Sequence, residues 1–425
     1  MIKILEYGAV KREEIFDRAV KRADVQKTVA DIIEEVRKNG DKALFYYTEK
    51  FDKARLQTLE VSKKEIEEAV AATDHELLEI MREAAENIRA FHKMQKREGF
   101  KTEKCGAITG QKIVPVDVAG LYVPGGTAAY PSTVLMDSIP AKIAGCKQVM
   151  IVTPPDKDGK INPAILAAAS IAGVDKIFKV GGAQAIAALA YGTESIPKAD
   201  KIVGPGNAFV AEAKRQVYGE VSIDMIAGPS EIMIVSDCKS DPDVLAADML
   251  SQAEHDRLAT AVLITDSKEL ALAVAKSIES QLPALSREEI ARAAIDGNSK
   301  IIITGDLDGA IELANEIAPE HLELCVDDPW ACFEKVRHAG SVFLGRSCPE
   351  ALGDYFAGPN HTLPTSGTAK FSSPLSVDDF IKKTQFTYYT EEALAAVAGK
   401  IAAFATAEGL TAHAKSATIR TEKKK

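Results

Sequence analysis

The sequence predicts an α/β protein built on parallel, doubly wound sheets, and three observations support this prediction. Between residues 149 and 344, short apolar and β-branched runs alternate with helical stretches, the order typical of parallel sheets crossed by helices. Glycine-rich turns stand where predicted strands give way to predicted helices. The chain has 425 residues, more than one core comfortably holds, so we expect two α/β domains of similar design.

Helices are predicted before this alternation begins. Residues 25–51 have the pattern of two amphipathic helices separated by Gly40. Ser62 and Glu65 match a capping box, which opens a short helix. A longer helix follows from Asp74, with its apolar side chains spaced to lie on one face.

The alternating region then supplies strands and helices in turn. The predicted strands are 149–152, 176–180, 201–203, 232–235, 261–265, 300–304, 321–326 and 341–344. The predicted helices include 162–172, 183–191, 207–218, 241–255 and 329–338. A loop rich in Gly and Pro covers 347–376, and 391–413 is Ala-rich and helical.

The helix that begins at Asp241 holds the first candidate metal ligands. Asp241 suits the N-cap and Pro242 the first helical position. The predicted core stripe of this helix is Val244, Leu245, Ala247, Met249 and Leu250. Gln252 and His255 are three residues apart and share a face, so an amide oxygen and an imidazole nitrogen could begin a metal site. Zinc needs further donors, and a histidine at a helix C-terminus also simply complements the helix dipole.

Three glycine-rich turns are candidates for binding a pyrophosphate at a helix N-terminus. None is a full GxGxxG and no GxxxxGK[ST] occurs, and such turns are also ordinary α/β loop geometry. The turns are Tyr122–Gly126, Val180–Ala185 and Gly204–Phe209, and their best-placed polar side chains are Tyr122, Gln184 and Asn207.

Two further motifs suggest ligand binding and proton transfer. Ser230, in the sequence GPSE, could hydrogen-bond a small ligand at the domain boundary or mark a plain turn, and it lacks the GxSxG of a hydrolase. Glu320 and His321 are an adjacent acid and base suited to proton transfer. Neighbours on a strand point to opposite faces, so only one enters a cleft directly unless the backbone turns, and a surface pair is the alternative.

The C-terminal third adds a carboxylate and two histidines. Asp354 and His361 lie in a long loop punctuated by Gly and Pro, a kind of segment that is often functional. Asp is a natural oxygen donor to zinc. His413 follows Glu408 near the C-terminus, where composition alone indicates a surface residue, although a terminal helix could also reach a neighbouring subunit.

The composition excludes several classes of protein. A formal net charge of −10 argues against general nucleic-acid binding, which needs a basic face. No apolar stretch approaches a membrane span, and the N-terminus lacks the apolar core of a signal peptide. Six cysteines without a CxxC pair indicate reduced thiols and a cytoplasmic protein: Cys105, Cys146, Cys238, Cys325, Cys332 and Cys348.

Taken together, the motifs resemble the histidinol dehydrogenase family in order and spacing over nearly the whole chain. They are YVPGGTAAYPST, KIVGPGNAFVAEAKRQVYG, DMIAGPSEI, SQAEHD, PEHLE, GDYFAGPNHTLPT and EGLTAHAKSA. The resemblance implies a zinc-dependent, NAD-linked oxidation of L-histidinol to L-histidine through the aldehyde, the last steps of histidine biosynthesis. It also accounts for the missing nucleotide fingerprints, because this family binds its cofactor without GxGxxG.

The resemblance also assigns roles to residues. It implies zinc ligands at Gln252, His255, Asp354 and, from a partner subunit, His413. It implies that His321 is the general base and that Glu320 activates the water that adds to the aldehyde. The implied substrate contacts are Ser230, Gln252, His255, His321, Asp354, Glu408 and His413, and the implied NAD contacts are Tyr122, Gln184 and Asn207. His361 has no assigned role, and we weigh support of the zinc site against a structural role in its loop.

The implied fold is a pair of incomplete Rossmann-like domains with small terminal pieces that interlock in a homodimer. We divide the chain into an N-terminal arm (1–24), a first α/β domain (25–118 with 230–384, holding the metal and catalytic residues), a second α/β domain (119–229, with the NAD contacts) and a C-terminal helical dimerisation piece (385–425). Two other classes stay open at this point: a metal hydrolase using the same Gln, His and Asp residues, and a non-catalytic two-domain binder of a small molecule.

Overall fold

The computed structural model describes residues 2–16, 25–125 and 129–422. Part of the predicted N-terminal arm (17–24) and Gly126 of one predicted turn lie outside these residues. The chain forms two compact units, one of residues 1–95 with 116–380 and the other of residues 96–115 with 381–425.

The strands and helices follow the predicted alternation. The strands are β1 (Lys3–Glu6), β2 (Phe100–Lys104), β3 (Ala107–Pro115), β4 (Val118–Tyr122), β5 (Gln148–Thr153), β6 (Lys176–Lys179), β7 (Lys201–Val203), β8 (Ser222–Ile223), β9 (Glu231–Ser236), β10 (Thr260–Thr265), β11 (Lys300–Ile303), β12 (His321–Cys325), β13 (Ser341–Leu344) and β14 (Ile381–Tyr389). The helices are α1 (Arg12–Phe16), α2 (Gln26–Asn39), α3 (Asp41–Asp52), α4 (Lys63–Ala72), α5 (His75–Lys93), α6 (Pro131–Ala144), α7 (Pro163–Ala172), α8 (Gly182–Tyr191), α9 (Ala208–Val217), α10 (Pro242–Ala253), α11 (Lys268–Gln281), α12 (Glu288–Gly297), α13 (Leu307–Ile317), α14 (Pro329–Phe333), α15 (Glu350–Tyr355), α16 (Glu391–Ala407) and α17 (Thr411–Glu422). Among the described helices, none combines the length and apolar character that crossing a membrane requires.

The first unit contains two parallel sheets with the same winding. The six-stranded sheet has the order β1-β11-β10-β9-β12-β13, and the five-stranded sheet has the order β6-β5-β4-β7-β8. In the six-stranded sheet the chain runs from β9 to β10 and β11 on one side, and then places β12 and β13 on the other side of β9. In the five-stranded sheet it runs from β4 to β5 and β6, and then places β7 and β8 on the other side of β4. The switch points lie between β9 and β12 and between β4 and β7. The predicted α/β, doubly wound, Rossmann-like architecture is confirmed.

Both sheets are buried on two faces, which explains their continuous apolar runs. In β5, Val149 and Ile151 face one hydrophobic core, whereas Met150 and Val152 face another. Likewise, alternate residues of β9 enter different cores on the two sides of the six-stranded sheet. This arrangement follows from the side-chain alternation of a strand.

The packing differs from the predicted domain division. Helices α2 and α3 share a core with Phe178 of the five-stranded sheet, and α4 and α5 share a core with α6 and α7 on its other face. Residues 26–93 therefore pack on the sheet of residues 118–223, not with the sheet that begins at Glu231 as predicted. Their amphipathic pattern shows that one face is buried but does not say against which sheet. At the N-terminus, β1 pairs with β11 instead of forming a separate arm.

The second unit combines an antiparallel sheet with a helical hairpin. Its strand order is β14-β3-β2, a sheet that the sequence analysis did not predict. Helices α16 and α17 are joined at Gly409, whose φ is 76°, and Leu410 N–H donates to the Ala405 carbonyl across this turn at 2.7 Å. The C-terminal piece thus begins with β14 at Ile381, and it includes residues 96–115 as well.

Helix α10 begins where the sequence predicts, but only part of its predicted buried face is buried. The Asp241 side chain accepts a hydrogen bond from Asp243 N–H at 2.9 Å, with Pro242 at the first position. The helix ends at Ala253, two residues before the predicted end. Leu245, Met249 and Leu250 are buried as predicted, whereas Val244 is 46% exposed and Ala247 is also exposed.

A buried ion pair supports the turn after β7. Lys214 of α9 pairs with Asp224, and both side chains are almost fully buried. The ammonium group also donates to the Gly204 carbonyl at 2.9 Å, and Asp224 Oδ2 accepts from Gly204 N–H at 2.8 Å. The pair therefore fixes both backbone polar groups of Gly204.

We predict that Lys214→Met lowers the free energy of unfolding by about 3–5 kcal/mol, because it leaves a buried carboxylate without its counter-ion. Urea unfolding monitored by circular dichroism measures the change. Lys198→Met is the matched control, since its ion pair with Glu220 is roughly half exposed on both sides and exposed pairs contribute little. Equal effects of the two substitutions would contradict the argument.

Candidate functional site

The predicted acid and base meet where β9 and β12 begin. These strands pair in parallel with His321 opposite Ile232, so Glu231 adjoins the start of β12. Ala318, in a left-handed conformation with φ of 53°, turns the chain before this strand. Glu320 and His321 are both buried, and Glu320 Oε2 lies 3.7 Å from His321 Nδ1. The backbone turn thus lets both side chains enter one site.

The backbone of Glu231 organises both side chains. His321 Nδ1 lies 3.0 Å from the Glu231 carbonyl oxygen. A carbonyl only accepts hydrogen bonds, so Nδ1 carries the proton in this contact. The Glu231 N–H donates to Glu320 Oε2 at 2.8 Å. His321 Nε2 has no hydrogen-bond partner among the described residues, and in the neutral ring it is the nitrogen free to act as a base.

Two carboxylates from α15 flank the His321 ring. Glu350 Oε1 lies 3.6 Å from Nδ1, and Asp354 Oδ1 lies 3.7 Å from Nε2. The two acids are four residues apart, so they share one face of the helix. Glu323 holds the start of this helix, because its Oε1 accepts from Glu350 N–H at 2.7 Å.

Gln252 reaches the same cluster from α10. When the Gln252 amide is oriented to satisfy its neighbours, its nitrogen donates to both Glu350 oxygens, the longer contact being 3.2 Å. Its oxygen then accepts a hydrogen bond from Glu231 N–H at 2.9 Å. Gln252 is fully buried. The helix that sequence analysis singled out therefore delivers its amide to the catalytic candidates.

The charges of this cluster shift its pKa values in different directions. Burial alone would lower the pKa of His321, but Glu350, Glu320 and Asp354 raise it well above its usual range. Burial raises the pKa of Glu320 to about 8, although His321 opposes this shift. Burial also raises the pKa of Glu350. The pKa of Asp354 is lowered, because contact with His321 overcomes the effect of burial.

Two more histidines surround Asp354. Burial lowers the pKa of His255, and the negative charge of Asp354 opposes that shift. His361 shows the same pattern, with burial first and Asp354 opposing. Both rings also interact electrostatically with His321. The structure therefore gathers His255, His321 and His361 around one carboxylate, and the role of His361 stays a prediction.

The donor atoms fit a divalent cation. His321, Glu350 and Asp354 each offer a ligand atom, all within 4.8 Å of one another. The predicted set of Gln252, His255 and Asp354 shares one of these residues and has the nitrogen and oxygen donors that zinc accepts. Glu320, Glu350 and Asp354 bring three carboxyl groups to one histidine, and a nearby cation would favour their ionised forms.

Glu350 is the residue that sequence analysis missed. The available signal was its spacing from Asp354 in EALGD, which places two carboxylates on one helical face. EALGD lies in a stretch rich in Gly and Pro. This composition predicted a loop, so the short helix was not recognised.

The three predicted cofactor residues lie at the carboxyl ends of the five-stranded sheet. Tyr122 ends β4, and its hydroxyl accepts from Gly182 N–H at 3.2 Å. Gln184 is buried in α8, beside the same glycine. Asn207 caps α9, accepting from Phe209 N–H at 3.0 Å, and is exposed. This edge is where ligands bind to sheets of this winding.

The remaining predicted residues are distributed over both units. Ser230 is half-buried and immediately precedes Glu231, whose backbone holds Glu320 and His321. Glu408 and His413 belong to the second unit and are exposed. Their contribution to a partner's site, and the interlocked dimer, stay predictions.

Known proteins resemble the chain over its whole length. The histidinol dehydrogenase family model matches residues 17–421. Histidinol dehydrogenase of Geobacillus kaustophilus is 56% identical over 399 residues, which cover 94% of each chain. Histidinol dehydrogenase of Clostridium acetobutylicum is 51% identical over 426 residues, covering 99% of each chain.

A solved structure agrees with these relatives. The crystal structure of histidinol dehydrogenase from Elizabethkingia anophelis superposes with a TM-score of 0.94 at 40% identity, covering 100% of this chain and 99% of that chain. This agreement in sequence and fold rules out the hydrolase and binder interpretations: the chain belongs to the histidinol dehydrogenase family and is an oxidoreductase.

Proposed function

We propose that this enzyme oxidises L-histidinol to L-histidine through L-histidinaldehyde, reducing two NAD per substrate, as the last steps of histidine biosynthesis. One observation supports this most strongly. The Glu231 carbonyl holds the Nδ1 proton of His321, so that Nε2 is available as a base, and Glu320 stands beside the same ring.

The first oxidation removes a proton and a hydride from the alcohol. With its ring neutral, His321 Nε2 takes the hydroxyl proton, and the hydride from the same carbon would pass to the nicotinamide held at the proposed NAD contacts. The resulting imidazolium lies between the carboxylates of Glu350 and Asp354, which stabilise its charge. The product of this step is the aldehyde.

The second oxidation needs water to add to the aldehyde carbon. In its ionised form Glu320 takes a proton from this water, and its pKa of about 8, raised by burial, makes it a stronger base than an ordinary glutamate. The hydrate then gives up a second hydride, which a second NAD would accept, and a hydroxyl proton, which His321 Nε2 would take. Water supplies the second oxygen of the carboxylate, so four electrons leave the substrate in total.

We assign the zinc site to Gln252, His255, Asp354 and His413 of the partner subunit. When bound, zinc supplies a positive centre that orients the amine and imidazole of the substrate. We assign substrate contacts to Ser230, Gln252, His255, His321, Asp354, Glu408 and His413, and NAD contacts to Tyr122, Gln184 and Asn207.

The proposed assembly is a homodimer in the cytoplasm. The dimer follows from the assignment of His413 to a neighbouring subunit's site. All six cysteines are free thiols, which supports a reducing compartment.

We predict that zinc content distinguishes the two possible sets of metal ligands. One set is Gln252, His255, Asp354 and the partner's His413, and the other is His321, Glu350 and Asp354. After dialysis against a mild chelator, His255→Ala should retain less zinc than the unsubstituted enzyme, whereas Glu350→Gln should keep its zinc but lose activity by about 10–100-fold. Metal analysis and steady-state rates give the two readouts. Glu334→Gln, an exposed substitution, is the control. Zinc lost from Glu350→Gln and kept by His255→Ala would instead assign the metal to His321, Glu350 and Asp354.

We predict that the unsubstituted enzyme forms two equivalents of reduced nicotinamide per limiting L-histidinol. Chelation should abolish this yield and zinc should restore it. Glu320→Gln should form the first equivalent and then stall, because the aldehyde lacks a base to activate water. Absorbance of the reduced cofactor and trapping of the aldehyde measure both steps. A normal yield and rate from Glu320→Gln would remove Glu320 from the mechanism, and no yield from the unsubstituted enzyme would refute the proposed function.

We predict that two inactive chains restore each other. A His413→Ala chain mixed with a His321→Asn chain, after denaturation and refolding together, should recover activity, because one site per mixed dimer receives both intact residues. Each variant refolded alone is the control. Mixed dimers without activity would contradict a site shared between subunits.

A further inference from the structure

The buried carboxyl of Asp137 joins two parts of the first unit that the mechanism uses. Asp137 lies in α6 and has no exposed surface. Its Oδ1 accepts a hydrogen bond from the Thr362 hydroxyl at 2.8 Å. Thr362 directly follows His361, one of the histidines around Asp354. One oxygen of Asp137 is therefore committed to the segment that lines the histidinol site.

A proline in α6 strengthens this link. Pro140 has no N–H, so the carbonyl of Met136 lacks its partner four residues on. The Asn360 amide donates to that carbonyl at 2.6 Å, while Asn360 Oδ1 accepts from Thr362 N–H at 2.8 Å. The segment Asn360–Thr362 is thus fastened to α6 on both sides of His361.

The second oxygen of Asp137 faces the turn after β7. A Cβ added to Gly204 would lie 3.2 Å from Asp137 Oδ2 and 2.1 Å from the Tyr122 carbonyl oxygen, and the φ of Gly204 is 110°. Asp137 Oδ2 has no hydrogen-bond partner among the described residues. This turn continues to Asn207, which we assign to NAD. Asp137 therefore packs between the segment of His361 and the proposed cofactor turn.

We propose that Asp137 is a positioning residue that holds the segment Asn360–Thr362 against the Gly204 turn and so sets the histidinol side of the site against the NAD side. This inference rests on the proposed function, because the two sides are defined by it. Hydride transfer depends on the distance between the two reactants, and a displacement of about 1 Å can cost about 100-fold in rate.

The carboxyl acts in its neutral form. Burial raises the pKa of Asp137 to about 8, with Asp224 raising it further and Thr362 and Lys214 lowering it. Because the folded-state pKa exceeds the ordinary value, the contribution of Asp137 to stability declines as pH rises toward 8. Above pH 8 the neutral acid is itself lost. An asparagine has the same shape, keeps an oxygen for Thr362 and does not titrate.

Four variants test the proposal in the complete, zinc-loaded enzyme. Asp137→Ala and Thr362→Val should each raise the KM for histidinol and lower kcat/KM by about 10–100-fold. Asp137→Asn and Thr362→Ser should stay within about threefold at pH 7. Ser138→Ala is the matched control, since this neighbour is equally buried and its hydroxyl has no hydrogen-bond partner among the described residues. A mere loss of folded enzyme would lower kcat but leave KM unchanged.

Two further readouts complete the test. The activity of Asp137→Asn relative to the unsubstituted enzyme should rise by up to about tenfold between pH 7 and 9, because only the carboxyl ionises. Amide hydrogen exchange in residues 356–366 and 204–209 should quicken in Asp137→Ala and not in Ser138→Ala. This second readout needs no turnover, so it tests the inference even where the proposed substrate fails.

Specific results would overturn the proposal. Unchanged KM values and unchanged exchange in Asp137→Ala would mean that the contact positions nothing. An Asp137→Asn variant as impaired as Asp137→Ala at pH 7 would show that the ionised form is required. Additive effects of Asp137→Ala and Thr362→Val in the double variant would show that they do not act through one contact.

Discussion

The parallel pairing of β9 with β12 is the constraint on which the site depends. It sets the backbone of Glu231 beside the first residue of β12, so that one peptide carbonyl fixes the His321 tautomer and one N–H holds Glu320. Slipping the register by one residue would turn His321 to the opposite face of the sheet. Because the strands are buried on both faces, their apolar packing enforces the register, and the core thereby determines the position of His321.

This site lies at the amino edge of its sheet, whereas sheets of this winding usually bind ligands at the carboxyl edge of the switch point. In the six-stranded sheet that edge is occupied by Arg346, which contacts Asp237 at 2.5 Å, Asp327 at 2.9 Å and Ser240 at 3.0 Å. The five-stranded sheet leaves its carboxyl edge to the turn of Asn207. The two similar sheets therefore differ in the edge that carries polar groups. The six-stranded sheet holds acids and bases at its amino edge, and the five-stranded sheet presents helix N-termini at its carboxyl edge.

Local rules predicted much of this fold. The alternation of strands and helices, and the cap formed by Asp241 and Pro242, depend on neighbouring residues and could be recognised in sequence. The packing of 26–93 on the five-stranded sheet depends on long-range contacts, which an amphipathic pattern does not specify. Within the site, the resemblance supplied the roles of Glu320 and His321, and the structure shows the turn at Ala318 that brings both inside. Glu350 could have been found from its spacing, but a loop-like composition concealed it.

Burying several carboxyl groups around one histidine is costly, because each charge loses its hydration. The chain meets this cost in two ways. Burial raises the pKa of Glu320 to about 8, which favours its neutral form, whereas Asp354 stays charged because His321, whose pKa is raised, lies beside it. A site arranged in this way holds protons where the acids are neutral and attracts a cation where the carboxylate is charged. The three acids lie 3.6–3.7 Å from the His321 ring, so distance does not separate them. Asp354 lies at Nε2, whereas Glu320 and Glu350 lie at Nδ1, whose proton is held by the Glu231 carbonyl, so the geometry of the strand ends and α15 decides which group stays charged.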